Sequence, residues 1–337
     1  MTYKTIASVF YLLLLVLSAC KTGQQANPLE KYTIDQFMQI LSASGLKTGT
    51  NGFTIYSTWS RETGGVSQIF QWKLGVQKPK QLSFFKDGLD GYSLSPDGEY
   101  IVALASRGGD EQSKLWLYNT GLNKWKELPA KEKARYLGIR WHRSSRYFFY
   151  SANEDNGRDF NIYIYNVQTH QKDKVITLKG FNYVRDSDKS GDKLIILSYK
   201  GNEETRPFIY DRVKKKLTPI LWKEGEKHVF GNLFFSDDEK SIYLLTNLFS
   251  EYNTLAEYHI LSRKVTPRLQ KLTQKWDMTD IDFDLKRKLF SVTINEEGYK
   301  KVFITSPSDW VNREFKPLGD GRYGISRITE DKIYFSF

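Results

Sequence analysis

The stretch Ser93-Leu94-Ser95-Pro96-Asp97-Gly98, followed by the alternating run Tyr100-Ile101-Val102-Ala103-Leu104, contains the clearest structural signal in this chain. Pro96 presets the φ angle that a type I turn needs, Asp97 can accept hydrogen bonds from the backbone, and Gly98 tolerates the positive φ that closes the turn. The residues on either side therefore form two antiparallel strands of one hairpin. A second hairpin comes directly after it, so the segment predicts a four-stranded antiparallel meander.

The same turn recurs along the chain in degenerate form. Its copies end at positions 52, 98, 145, 191, 239, 287 and 331, so successive copies are 46, 47, 46, 48, 48 and 44 residues apart. A repeat in the forties with about four strands per unit is typical of a β-propeller blade, and a β-sandwich would not keep this spacing. We therefore predict an all-β fold, a β-propeller of six to seven four-stranded blades whose last blade is incomplete.

The composition agrees with half-buried strands and disfavours a nucleic-acid partner. Aromatic residues make up 15% of the 337 residues and alternate with Ile and Val, which suits strands with one buried face. The formal net charge is +11, but Lys and Arg are scattered over predicted strands and turns. Because no basic helix or recognised nucleic-acid module is present, we expect a solvated basic surface and no nucleic-acid partner.

The N-terminus resembles the signal of a bacterial lipoprotein. Lys4 precedes an apolar run, residues 9–17, that is too short for a comfortable transmembrane helix. The run ends in Leu17-Ser18-Ala19-Cys20, which resembles a lipobox, and Cys20 is the only cysteine of the chain. The resemblance implies cleavage before Cys20, lipidation of its thiol and new amine, and a lipid-anchored location in the bacterial cell envelope. The alternative is an ordinary secretory peptide with a chance cysteine.

This interpretation divides the chain into three segments. Residues 1–19 are predicted to be a lipoprotein signal peptide, residues 20–31 a small polar tether, and residues 32–337 the β-propeller, with blade repeats of about 46–48 residues. The membrane is thus an expected partner, through lipidated Cys20.

Both ends of the predicted propeller are irregular. A capping box at Thr33 and Gln36, followed by apolar residues at helical spacing, predicts a short N-terminal helix that ends at Gly45. The first unit, residues 53–82, then lacks an innermost strand of its own. The last unit begins with a strand at 323–328 and stops within the meander. Either the chain is a truncated form of a longer protein, or 323–328 completes the first unit and closes a six-bladed ring.

The order of these features resembles the N-terminal propeller of the prolyl oligopeptidase family, in its dipeptidyl-peptidase and acylaminoacyl-peptidase branches. The resembling segments span nearly the whole mature chain and lie at residues 32–37, 94–98, 106–111, 151–154, 276–277 and 295–299. The Ser-Pro-Asp-Gly turn also marks TolB-like propellers. In the prolyl oligopeptidase family the propeller caps a C-terminal α/β-hydrolase domain that holds the catalytic Ser, Asp and His. A C-terminal or separate hydrolase domain is therefore an implied partner.

No catalytic residue, metal ligand or cofactor is predicted within this chain. A nucleophile elbow needs Gly-x-Ser-x-Gly, and the nearest segments, residues 65–69 and 324–328, both lack the second glycine. Residues 186–191 resemble the start of a calcium loop, but Leu197 stands where a bidentate Glu is required. The four histidines show no metal-ligand spacing.

The family resemblance draws attention to Glu203 and Glu204. Dipeptidyl peptidases use paired glutamates of the propeller to hold the free amine of the substrate. In this chain the pair lies in the hairpin loop 200–205, where a solvated loop is the alternative interpretation.

Two functions of different classes remain open at this point. In the first, the chain is the substrate-gating propeller of a prolyl oligopeptidase-type serine peptidase and lacks the hydrolase domain. In the second, it is a stand-alone TolB-like lipoprotein that binds a protein or glycan partner. The reading frame downstream of Phe337 distinguishes the two, since a hydrolase sequence with a nucleophile elbow decides for the first.

The lipobox generates a testable prediction. We expect the mature protein to start at Cys20 and to partition with membranes, and we expect Cys20→Ser to remain unprocessed or to be released into the soluble fraction. Cell fractionation with mass spectrometry of the N-terminus measures both. Ser18→Ala, which keeps a small residue and the cysteine, serves as the control. Lipidation of the Cys20→Ser variant, or a freely soluble native protein, would contradict the prediction.

Overall fold

The computed structural model describes residues 42–48, 53–59, 63, 65–73, 76, 78–319, 323–329 and 332–336. The chain divides into a unit of residues 1–40, which lies outside the described residues, and a unit of residues 41–337. Cys20, the predicted signal peptide and tether, and the predicted helix up to residue 41 therefore lie outside the described residues. No described helix is long and apolar enough to cross a membrane.

The described strands form seven antiparallel sheets, which we name A to G in chain order. Sheet A contains β1 (Ser42–Thr48), β2 (Phe53–Trp59), β3 (Ser67–Lys73) and β4 (Lys80–Gln81). Sheet B contains β5 (Gly91–Leu94), β6 (Tyr100–Ala105), β7 (Lys114–Asn119) and β8 (Lys124–Glu127). Sheet C contains β9 (Tyr136–Trp141), β10 (Tyr147–Ala152), β11 (Asn161–Asn166) and β12 (Lys172–Ile176).

The second half of the chain continues the pattern. Sheet D contains β13 (Phe181–Ser187), β14 (Lys193–Gly201), β15 (Glu204–Asp211) and β16 (Lys216–Pro219). Sheet E contains β17 (Phe230–Phe235), β18 (Ser241–Thr246), β19 (Thr254–His259) and β20 (Val265–Arg268), and a 3₁₀ turn comes next at Gln270–Leu272. Sheet F contains β21 (Met278–Phe283), β22 (Phe290–Glu296), β23 (Tyr299–Thr305) and β24 (Asn312–Glu314). Sheet G is the hairpin β25 (Gly324–Ile328) and β26 (Ile333–Ser336).

Every four-stranded sheet is a meander in which each strand pairs with the next one along the chain. The first strands of neighbouring sheets contact one another, as β5 does with β9, β9 with β13 and β13 with β17. Strand β25 contacts β21 on one side and β1 on the other, and β1 contacts β5. The first strands therefore surround the axis of a ring, which is the arrangement of a β-propeller.

The hydrophobic core lies between neighbouring sheets and not inside a single one. One buried cluster, for example, joins Leu115 and Leu117 of sheet B to Phe148 and Tyr150 of sheet C. Comparable clusters join A to B, C to D, D to E and E to F. The alternating apolar residues of each strand thus bury both faces of a blade against its two neighbours.

The repeated turn closes with the same backbone geometry in sheets B to F. The N–H of its fourth residue donates to the carbonyl of its first residue at 2.8–3.1 Å, and the fourth residue has a positive φ in every copy. The donor–acceptor pairs are Gly98–Ser95, Ser145–His142, Gly191–Asp188, Glu239–Ser236 and Arg287–Asp284. Degenerate sequences therefore form the turn that Ser95-Pro96-Asp97-Gly98 forms.

Three of these positive-φ positions hold a residue other than glycine, and each side chain bonds to an earlier sheet. Ser145 Oγ accepts a hydrogen bond from the Asp97 N–H at 3.1 Å. The Glu239 carboxylate accepts one from the Lys189 N–H. A non-glycine residue with positive φ costs roughly 1 kcal/mol, and the bond to the neighbouring blade offsets that cost. The turns consequently link the blades at one mouth of the ring.

Arg287, the third of these residues, joins three sheets. Its guanidinium makes a bidentate pair with the Asp186 carboxylate, at 2.8 Å and 3.0 Å, and also donates to the Phe235 carbonyl. The Asp186 carboxylate also accepts the Phe235 N–H at 2.9 Å. Both charged side chains are at most 7% exposed. Sheets D, E and F are therefore held together by one buried ion pair and its hydrogen bonds to the Phe235 backbone.

The predicted fold class needs correction on two points. The prediction is six to seven blades, whereas the structure describes five complete four-stranded blades, sheets B to F. Sheet A is interrupted by residues outside the description, and sheet G has two strands. The end of the predicted N-terminal helix is also wrong, because Ser42–Thr48 is strand β1.

The conformation of Gly45 explains why the helix is predicted to end there. A glycine after a short apolar stripe is typical of a helix end, whereas Gly45, with a φ of 67°, lies at a register shift between β1 and β2. A β-bulge and a helix end make the same conformational demand on glycine. Because β1 is the first strand of sheet A, the hypothesis that 323–328 completes that sheet is wrong as well. Strand β25 pairs with β26.

The buried ion pair generates a stability prediction. We expect Arg287→Met to lower the free energy of unfolding by about 3–5 kcal/mol, because it leaves the Asp186 carboxylate buried without its partner. Urea denaturation measures the change. Arg313→Met, at an exposed residue of the outermost strand β24, should change stability by less than about 0.5 kcal/mol. Adding Asp186→Asn to Arg287→Met should restore part of the lost stability, because no unpaired charge then remains buried. Equal stabilities of Arg287→Met, Arg313→Met and the double variant would contradict the prediction.

Candidate functional site: the central channel

A cavity of about 320 Å³ lies where the first strands meet at the ring axis. Its wall is built from β1, β5, β9, β13, β21 and β25, together with the repeated turns at one mouth. A second cavity, of about 350 Å³, lies at the outer strands of sheet F near Glu296 and Tyr323. We take the axial cavity, the central channel, as the candidate site because strands from six sheets bring charged side chains together there.

Positive charge dominates the wall of the central channel. Five cationic side chains line it: Lys47, Arg140, Arg143, Arg287 and Arg327. Of these, Arg287 is paired closely with Asp186. The Arg140 guanidinium lies 3.8 Å from the same carboxylate, a long distance to an oxygen that Arg287 already occupies, and its side chain is 40% exposed.

Arg143 and Arg327 have no carboxylate within ion-pair distance among the described residues, although the more distant charges of Asp186, Glu239 and Asp237 act on Arg143. Arg327 Nη1 donates to the Thr48 carbonyl at 2.8 Å. Arg143 Nη2 is buried and has no hydrogen-bond partner within the described part of the chain. Burial lowers the pKa of Arg140, Arg143 and Arg327, and for Arg140 and Arg143 the Arg287 charge acts in the same direction. Guanidinium groups nevertheless stay charged at neutral pH.

Asp282 is the lining carboxylate that opposes these cations, and Asp280 acts on it from the same strand. Burial, and then the neighbouring Asp280, raise the pKa of Asp282 to about 6, while Lys47 and Arg140 act in the opposite direction. Asp280 accepts a hydrogen bond from the Asn232 amide, and that amide oxygen lies 3.4 Å from Arg185. Asp282 therefore changes its charge close to neutral pH, which alters the net charge of the channel.

Three buried polar atoms of the channel wall have no hydrogen-bond partner among the described residues. They are Thr48 Oγ1, Ser326 Oγ and Arg143 Nη2. Most buried polar groups in proteins are hydrogen-bonded, so unsatisfied groups in a cavity wall are free to bind water or a ligand. The channel thus offers both donors and charge to a polar molecule.

The sequence-predicted residues are distributed unevenly around this site. Ser95 and Pro96 line the channel mouth. The Asp97 carboxylate accepts hydrogen bonds from Ser95 Oγ at 2.6 Å and from the Glu99 N–H at 3.0 Å, and Gly98, with φ of 80°, closes the turn. These four residues shape the mouth.

Glu203 and Glu204 lie at the hairpin between β14 and β15, at the end of sheet D opposite its repeated turn. The Glu204 carboxylate forms an ion pair with Arg206 at 2.5 Å. The Glu203 side chain is 84% exposed and lies 3.8 Å from Lys227. Neither lines the central channel.

The structure also places the serines of the two elbow-like segments. Ser67 begins strand β3 and Ser326 lies within β25, so neither occupies a turn from a strand into a helix. Within the described ranges, no group of His, Cys, Asp and Glu side chains could hold a metal ion.

Sequence analysis missed the charged residues of the channel, although the repeat contains a signal for three of them. Arg140, Asp186 and Asp282 each precede the last residue of their repeated turn by five positions. Ser93 holds the same position in sheet B and also lines the channel. A charged residue at this position in sheets C, D and F therefore indicates a charged channel.

The raised pKa of Asp282 generates a prediction on pH dependence. At low pH the carboxyl is protonated in both folded and unfolded chains. As the pH rises, the unfolded chain ionises near the ordinary pKa of 3.8 while the folded chain stays protonated up to about pH 6, so the folded state loses stability between these two values and the loss is complete above them. We expect Asp282→Asn to stabilise the protein by about 1–3 kcal/mol at pH 7.5 and to have little effect at pH 4. Thermal and urea denaturation at both pH values measure this. Asp173→Asn, at an exposed residue of β12, should show no such difference. An equal effect of Asp282→Asn at both pH values would contradict the prediction.

Comparison with known proteins gives a fold relationship. No family model matches the sequence, and no curated protein matches it. Among solved structures, a prolyl endopeptidase is 14% identical with a TM-score of 0.70, and the match covers 88% of this chain and 46% of that one. This chain thus spans about half the length of that endopeptidase.

Two further structures match over most of their own length. The β-propeller domain of the Trilobed protease from Pyrococcus furiosus is 16% identical with a TM-score of 0.65, covering 88% of this chain and 90% of that one. TolB from Acinetobacter baumannii is 12% identical with a TM-score of 0.53, covering 87% and 84%. The predicted resemblance in fold is confirmed: this chain is a β-propeller similar to those of a prolyl endopeptidase, the Trilobed protease and TolB.

Proposed function

We propose that this chain is the non-catalytic, substrate-gating propeller of a prolyl oligopeptidase-type serine peptidase, and that peptide segments bind in its central channel. The observation that carries the proposal is the channel itself, a cavity of about 320 Å³ at the ring axis with charged and unsatisfied polar groups in its wall. A cavity of this size takes a peptide segment and excludes a folded domain. The function that the geometry supports best is therefore selection of peptide segments, by their size and charge, in the central channel.

The fold comparisons support the proposal indirectly. The match to the prolyl endopeptidase covers 46% of that chain, and the Trilobed protease match is to a propeller domain of a protease. A propeller that contributes binding and no nucleophile is consistent with the positions of Ser67 and Ser326 on strands. The chemistry then belongs to a hydrolase domain.

The TolB match supports a second candidate function, a stand-alone propeller lipoprotein that binds a protein or glycan partner. In either case we propose that lipidated Cys20 holds the protein to a membrane of the bacterial cell envelope, because acyl chains on its thiol and amine give durable anchoring.

Reading the gene beyond Phe337 and assaying the full-length product tests the proposal. We expect a hydrolase sequence with a Gly-x-Ser-x-Gly elbow, and we expect the full-length protein to cleave short peptides while this chain alone cleaves none. In the full-length enzyme, Ser93→Trp should obstruct the channel wall and lower kcat/KM for long peptides more than for a dipeptide substrate. Lys126→Trp, at an exposed residue of β8, is the control. Absence of a hydrolase sequence would contradict the gating function and favour the TolB-like one.

A further inference from the structure

We infer that the central channel recognises its peptide ligand by a carboxylate, supplied by an acidic side chain or by a free C-terminus. The inference rests on the proposed function in that it takes the ligand to be a peptide. It adds the chemical group that the channel selects.

The balance of uncommitted charge in the channel wall is the first argument. The Arg287 and Asp186 charges neutralise each other. Four cationic side chains then remain, Lys47, Arg140, Arg143 and Arg327, and Asp282 is the carboxylate that faces them among the described lining residues. Such an excess of positive charge, held inside a low-dielectric wall, attracts anions and repels cations.

The arginine chemistry is the second argument. A guanidinium presents paired N–H donors that match the two oxygens of a carboxylate. The channel already contains one example of this geometry, the bidentate pair of Arg287 with Asp186, and an Arg140 nitrogen lies 3.8 Å from the same carboxylate. Asp186 already accepts three hydrogen bonds, two from Arg287 and one from the Phe235 N–H. Because Arg140 lies 3.8 Å from Asp186, beyond hydrogen-bond distance, its donors remain available to a ligand.

The buried nitrogen of Arg143 is the third argument. Its Nη2 atom has no hydrogen-bond partner among the described residues, which leaves a desolvated charged donor. An unsatisfied buried donor of this kind is costly, and a ligand oxygen removes that cost. Arg143 lies just beyond the end of β9, the strand that contains Arg140, and both line the same wall, so one carboxylate-bearing segment can reach both.

Asp282 adds a condition to the recognition. Its carboxylate repels an incoming anion when ionised and ceases to do so when protonated, which occurs below about pH 6. The groups that act on it are Asp280 on its own strand, Lys47 on β1 and Arg140 on β9. We therefore expect the affinity for a carboxylate to rise as the pH falls from about 8 to about 5.5.

Isothermal titration calorimetry with three synthetic peptides tests the inference. The first is Gly-Glu-Glu-Glu-Gly with both ends blocked, the second replaces Glu by Gln, and the third is the Gln peptide with a free C-terminal carboxylate. We expect the first or the third to bind, with the blocked Gln peptide at least about tenfold weaker. Binding of the first identifies an acidic side chain, and binding of the third identifies a chain end.

Variants locate the interaction. Arg140→Gln and Arg143→Gln should each weaken binding about tenfold, since each removes a charge-assisted hydrogen bond. Arg313→Gln, on the outermost strand β24, should leave it unchanged. Asp282→Asn should bind as tightly at about pH 8 as the unaltered protein does at about pH 5.5. Circular dichroism of every variant verifies that the fold is intact.

The outcomes separate this inference from the proposed function. If the blocked Gln peptide binds as well as the others, and Ser93→Trp abolishes that binding, the channel is a peptide site but selection by carboxylate is wrong. If no peptide binds, or if Arg140→Gln and Arg143→Gln bind normally, the inference is also wrong. The peptidase assay on the full-length protein still decides the gating function independently.

Discussion

Arg287 joins three consecutive blades through one buried guanidinium. It binds Asp186 of sheet D and the Phe235 carbonyl of sheet E from a turn of sheet F, and the Phe235 N–H completes the Asp186 shell. A charge pair removed from water stabilises a fold only when hydrogen bonds satisfy its polar atoms, and here Asp186 accepts three hydrogen bonds while both terminal nitrogens of Arg287 donate. The ring geometry of these sheets depends on this network, since a shift of one blade breaks bonds to both of the others.

The same principle operates more weakly around the rest of the mouth. At the positive-φ position of the repeated turn, Ser145 and Glu239 reach the backbone of the preceding blade. Gly191 is different, because a Cβ atom there would collide with the Tyr147 hydroxyl. The position therefore holds either a glycine that admits a neighbouring side chain or a residue whose own side chain forms the link. Sequence degeneracy at the turn thus reflects blade-to-blade contacts and not a loss of the repeat.

The channel inherits its charge from this architecture. The fifth position before the end of each turn lies on a first strand, and Arg140, Asp186 and Asp282 all occupy it in sheets that meet at the axis. Only the sheet-to-sheet arrangement decides that Asp186 is consumed by Arg287 while Arg140 is left with a long contact. Asp186 of the structural charge pair and Arg140, which keeps free donors, therefore occupy the same repeat position, and the difference between them comes from the neighbouring blade.

Local chemistry along the chain determined the repeat, the antiparallel meanders and the turn at Ser95-Pro96-Asp97-Gly98, because strand alternation and turn preference act within a few residues. It did not determine the role of Gly45, since a positive φ suits a helix end and a β-bulge equally, and pairing of β1 with β2 decides between them. Nor did it determine the channel. Arg140 and Arg143 belong to one repeat and Arg327 to another, and they become one cationic wall only when the ring brings strands β9 and β25 to a common axis.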